Sequence, residues 1–159
     1  MTTQVQHSAS RTIPGRSLWF GLLLLLIGYT GCVSSSMLRD PAAIQKTTAL
    51  KDKALNLMAK GTEAYATHKT AAQNLLAEAN ALYAQQKKRE NNNLSVQQWK
   101  LLLEDNATTG TSGILTGFFT EWENAEAPLS TFFVNEKKKK VAEAFDEILK
   151  LEQAKPVTK

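Results

Sequence analysis

The chain has little with which to do chemistry. Of its 159 residues one is cysteine and two are histidine. Zinc sites draw on clustered Cys and His, and neither clusters here, so no metal is expected. A nucleophilic site needs an activated hydroxyl or thiol beside a base, and past residue 31 the one histidine is His68. No catalytic residue and no cofactor is therefore expected, and His68 reads as a partly buried histidine with a local hydrogen-bond partner. A single cysteine permits no internal disulfide, so stability must come from apolar packing. Charge is nearly balanced: the formal net charge of +4 falls to +2 once Arg11 and Arg16 are counted out. That total implies no strongly basic or acidic partner, and no nucleic acid is expected. No run of ~20 apolar residues occurs, the length a membrane-spanning helix needs.

What is present begins with a short apolar run, Leu18 to Ile27, preceded by Arg11 and Arg16 without an acid and followed by Gly28-Tyr29-Thr30-Gly31-Cys32. The stretch Leu18 to Thr30, about 13 residues, fits a signal-peptide core and falls short of a spanning helix. This pattern resembles the precursor of a bacterial lipoprotein, with Thr30, Gly31 and Cys32 matching the lipobox and Tyr29 departing from the usual aliphatic residue. The resemblance implies diacylglycerol on the Cys32 thiol, cleavage between Gly31 and Cys32, and acylation of the new amine. The competing readings are an uncleaved span, disfavoured by length, and an ordinary secretory signal, which leaves a lone thiol at the cut site unexplained. Two or three acyl chains hold a protein stably where one does not. The organisation is then residues 1–31 as signal, 32–39 as lipidated cysteine and short tether, 40–155 as helical domain, and 156–159 as tail. The family's sorting logic favours the outer membrane, because Val33 is not Asp; the inner membrane and a Gram-positive surface are the alternatives.

The domain reads as all-α, one long N-terminal helix with three shorter helices packed along it as an elongated bundle. Asp40 is an N-cap and Pro41 suits the first helical position. The buried stripe Leu50, Ala54, Leu57, Gly61, Ala64 or Tyr65, His68, Ala71 or Ala72, Leu75, Ala79, Leu82 steps by three and four without a change of phase. It predicts one helix of about 48 residues ending at Lys87-Lys88-Arg89, continuous through Gly61. Ser95 with Gln98 predicts a capping box, and Leu94 with Trp99 a hydrophobic staple, opening a second helix. A third helix is expected from about Ser112 to Asn124, and a fourth from Pro128, carrying Val134, Val141, Phe145, Ile148 and Leu149 and stopped by Pro156.

Other motifs are weaker. The loop Asp105 to Gly110 has Ala107 and Thr109 at the third and fifth positions of a calcium loop and Thr116 at the twelfth, where carboxylate or amide oxygens are wanted. Gly110, Gly113 and Gly117 do not match a phosphate loop and read as sites of loop flexibility and close helix approach. Lys137 to Lys140 fan around a helix at ~100° per residue instead of forming one patch. Phe118, Phe119, Trp122, Phe132 and Phe133 are either core or an interaction surface for a partner helix or an apolar ligand. The expected partners are the membrane through the lipid and a protein, another copy or a distinct envelope component. The leading function is a non-catalytic structural or interaction module. The ending Pro156-Val157-Thr158-Lys159 weakly resembles the murein lipoproteins, which implies a covalent peptidoglycan link through Lys159; an apolar-ligand carrier is the other alternative.

Overall fold

The computed structural model describes residues 38–106, 108 and 110–157. The signal segment, Gly31, Cys32 and Lys159 lie outside the described residues. Five helices follow in order: α1 Pro41–Met58, α2 Tyr65–Lys87, α3 Asn93–Leu103, α4 Ile114–Asn124 and α5 Thr131–Gln153, with a 3-10 turn at Ala59–Thr62. The domain is all-α, and among the described residues the only strand-like feature is a bridge between Asn106 and Thr111. None of the described helices is long and apolar enough to cross a membrane.

α1 starts where the sequence places it. Asp40 Oδ1 accepts from the amides of Ala42 at 3.0 Å and Ala43 at 3.1 Å, and Pro41 fills the first helical position. The long helix is not formed. α1 ends at Met58, the chain turns through Ala59–Thr62, Glu63 is extended, and α2 runs back against α1. The turn is held from outside: the Leu129 amide donates to the Gly61 carbonyl at 3.0 Å, and a Cβ at Gly61 would lie 2.9 Å from Val134 Cγ2 and 3.1 Å from Phe118 Cζ. Glycine is buried there because α4 and α5 pack onto it. A hairpin keeps both stripes facing one interior, so unbroken phase is compatible with either arrangement, and burial of both arms decides for the hairpin.

α3 begins two residues before Ser95, with Asn92 at the cap position and no side-chain capping bond. Ser95 is buried inside the helix and Leu94 is 65% exposed while Trp99 is fully buried, so neither the capping box nor the staple forms. α4 follows after a ten-residue connection. The Asn106 amide donates to Thr111 O at 2.7 Å, and the Thr116 hydroxyl donates to Leu103 O at 3.1 Å. A Cβ at Gly113 would meet the Leu103 backbone at 2.5 Å, so this close approach of α4 to the end of α3 requires glycine. α5 opens at Thr131, later than Pro128, with Ser130 Oγ accepting from the Phe133 amide at 3.2 Å.

The result is an up-down bundle of four rods, the third made of α3 and α4 in succession. Its core joins Leu50, Ala54 and Met58 of α1 with Ala72, Leu75, Ala79 and Leu82 of α2. Trp99 and Leu102 of α3, Phe118 and Trp122 of α4, and Val141, Phe145 and Ile148 of α5 complete it. Trp122 packs edge-on against Tyr65 at 5.4 Å, and Trp99 edge-on against Phe145 at 6.1 Å. The two ends differ. One gathers the start of α1, the α2–α3 turn and the end of α5; the other gathers the Gly61 turn and the α4–α5 connection.

Candidate functional site

At the first of these ends a carboxylate sits in the core. Glu152, on the last turn of α5, has no solvent exposure. A bare ionised carboxylate there would cost several kcal/mol, so it must be paired and hydrogen-bonded. Arg89 supplies one contact, Nη1 to Oε2 at 2.8 Å, and Lys155 another, Nζ to Oε1 at 2.5 Å. Arg89 also donates from Nη1 to Gln86 Oε1 at 3.1 Å. Buried Asn92 donates to Gln86 O at 3.1 Å and to Gln86 Oε1 at 2.8 Å, while its own Oδ1 accepts from Lys155 at 2.5 Å. Asn92 thus spends its side chain on holding the α2–α3 turn, where Asn91 takes φ 54°, instead of capping α3.

This network also grips the chain where it joins the bundle. Arg89 Nη2 donates to Leu38 O at 2.7 Å, and the Arg39 amide donates to Pro156 O at 2.8 Å. Residues 38 and 39 are therefore tied to the α2–α3 turn and to the segment after α5. Chemically the cluster is a scaffold: its carboxylate oxygens face two cations, and its amides face each other. Sequence reading missed it, because Arg89 and Glu152 are 63 residues apart and only the Gln86–Arg89 and Glu152–Lys155 spacings of three hint at side-chain pairing.

The other sequence candidates fall elsewhere. Phe118, Phe119 and Trp122 pack in the core, at most 2% exposed. Phe133 is half-buried against Phe118, and Phe132, 77% exposed, alone of the five faces outward. His68 has its local partner: Nε2 lies 2.7 Å from Glu63 Oε2, and Lys60 reaches the other oxygen at 3.0 Å. The hydrogen bond from His68, then that from Lys60, holds the Glu63 carboxyl below its ordinary range. Lys137 pairs with Glu121 at 2.9 Å and lies over the Phe133 ring, with Lys139 and Lys140 directed to solvent. In the loop proposed as a poor calcium match, Asp105 accepts from the Gly113 amide and Asn106 from the Thr108 amide. Among the described residues no group of three or more His, Cys, Asp or Glu is placed to hold a metal.

The outer surface of the Glu152 end carries Leu94 at 65% and Val157 at 63% exposure. Leu94 shares an open cleft with Leu151, Ala154, Lys155 and Pro156, and a neighbouring depression is lined by Leu38, Arg39, Lys88 and Glu90. Compared with protein-family models, with curated proteins and with solved structures, the chain matches none.

Proposed function

We propose that the protein is a lipid-anchored envelope lipoprotein whose helical domain acts as a non-catalytic structural or interaction module on the periplasmic face of the outer membrane. Thr30-Gly31-Cys32 after a short apolar run supports the anchor. The observation that carries the reading is the tie at Leu38 and Arg39. Only residues 33–37 separate Cys32 from Leu38, so a fully extended tether of ~3.6 Å per residue keeps Leu38 within about 20 Å of the anchor. A chain bound into the bundle so close to its lipid holds the domain near the bilayer, not on a long leash. The exposed Phe132 stands at the opposite end, where it is available to a partner.

The wall-link reading through Lys159 finds less support. A domain that bridges two surfaces needs attachment points at opposite ends, whereas Pro156 is bonded to Arg39 at one end. The carrier reading loses its cavity lining, since Phe118, Phe119 and Trp122 pack on one another. Intact mass of the purified membrane form tests the proposal: a polypeptide beginning at an acylated Cys32 is expected, and a mass retaining residues 1–31 or an unmodified thiol refutes it.

A further inference from the structure

We infer that the end of the bundle carrying the Glu152 cluster is a docking surface for an anionic phospholipid bilayer, with Leu94 and Val157 inserting among the headgroups and Arg39 and Lys88 contacting them. This rests on the lipid-anchor reading and adds to it an orientation and a second contact. Three observations point the same way. The described chain begins at Leu38, whose carbonyl Arg89 holds at this end, and only residues 33–37 separate it from Cys32. Among the described residues the large exposed hydrophobic side chains are Leu94, Leu101, Phe132 and Val157; Leu94 and Val157 stand at this end, and Phe132 marks the opposite end. Leu94 lies beside Pro156, whose carbonyl is bonded to Arg39, so apolar and basic groups adjoin.

The charges favour an anionic surface. Arg39 and Lys88 are exposed and have no carboxylate partner among the described residues, and Lys88 shares a depression with Leu38 and Arg39. Of the acids nearby, Asp40 accepts from the first amides of α1, Glu152 is enclosed by Arg89 and Lys155, and Glu90 lines the depression beside Arg39 and Lys88. Each basic side chain held within a Debye length of an anionic leaflet strengthens association about fivefold. Two such contacts are weak for a free protein. They are enough to orient one already held within about 20 Å of the surface by its tether. An exposed leucine and valine beside cations is the usual composition of an interfacial contact, in which apolar groups enter the headgroup layer and long basic chains reach the phosphates.

The test uses the full chain, exported and acylated by its host. It is reconstituted into vesicles of phosphatidylethanolamine and phosphatidylglycerol that carry nitroxide-labelled lipid. A fluorophore is attached through Leu94→Cys, or in separate preparations through Val157→Cys or Phe132→Cys; acylated Cys32 takes no label. Lipid nitroxides should remove most of the fluorescence at 94 and 157 and leave that at 132 unchanged, whereas aqueous iodide should do the reverse. Exchanging phosphatidylglycerol for phosphatidylcholine, or adding Arg39→Glu with Lys88→Glu, should relieve the quenching at 94. Labels at 94 and 132 equally open to iodide, on protein whose mass confirms acylated Cys32, overturn the docking surface alone. A mass retaining residues 1–31 brings down the anchor reading as well, so the two failures are distinct.

Discussion

Arg89 Nη1 lies 2.8 Å from Oε2 of Glu152, a carboxylate with no solvent exposure. Removing one partner of a buried pair typically costs about 3–5 kcal/mol; here Lys155 stays on the other oxygen of Glu152, so the loss falls at the low end of that range. Arg89→Ala should therefore lower the unfolding free energy by that amount in urea titration. Lys53→Ala, which breaks the exposed pair with Glu78, should cost ~1 kcal/mol or less. Arg89→Met, Glu152→Met and Lys155→Met combined should cost less than Arg89→Met alone, because the triple substitution removes every charge of the buried cluster. Equal effects for Arg89→Ala and Lys53→Ala would contradict the burial of this pair.

Gly61 gives a sign test of the turn. In the interior of a continuous exposed helix, Gly→Ala gains about 1 kcal/mol of helix propensity. At the turn, the new methyl would stand 2.9 Å from Val134 Cγ2, and Val134 is buried and stiff at χ1, so neither side yields easily. Gly61→Ala should destabilise by about 1–3 kcal/mol, the usual cost of overpacking, and thermal melting of the variant measures it. A stabilised variant would restore the single long helix.

Much of the fold is legible in one dimension because most of it is written in local rules. Asp40-Pro41, the period of Val134 to Leu149, and the aromatic face of Ile114 to Asn124 each specify a helix from neighbouring residues alone. What is not legible depends on contacts made across the chain. The turn at Gly61 is fixed by Leu129, Val134 and Phe118, and a stripe of unbroken phase carries no information about folding back. Ser95 satisfies the sequence pattern of a capping box, yet Asn92 is held by Gln86 and Lys155 and moves the helix start ahead of it. The aromatic segment reads first as core, with a surface as the alternative, and only the register of α4, which buries Phe118, Phe119 and Trp122, and the start of α5, which leaves Phe132 outside, assign each residue.

Tyr83 predicts a loss of stability at alkaline pH. Its phenol is pushed up to about 12, first by burial and then by the hydrogen bond and charge of Glu104. A folded value above the unfolded one, near 10, means that this contribution is complete below pH 10 and is lost as pH rises toward 12. Unfolding free energies measured across that window should fall for the wild-type protein and fall less for Tyr83→Phe. Tyrosinate absorbance of the folded protein should show this phenol ionising late; ionisation near 10 would mean that Tyr83 is open to water.

Trp99 and Trp122 are equally buried but differently satisfied. Trp122 Nε1 donates to Glu63 O at 3.0 Å, joining α4 to the turn between α1 and α2, whereas Trp99 Nε1 has no partner among the described residues. Replacing either indole by phenylalanine removes similar volume, so the packing losses nearly cancel in the comparison. Trp122→Phe also deprives the Glu63 carbonyl of its donor, while Trp99→Phe removes a buried N–H that already bears its desolvation cost of about 1–3 kcal/mol. Trp122→Phe should therefore be the more damaging by about 1–3 kcal/mol in denaturant unfolding. Near-ultraviolet circular dichroism checks that each variant keeps its packed core. Equal losses would show that the Trp122 hydrogen bond contributes nothing to holding the hairpin against α4.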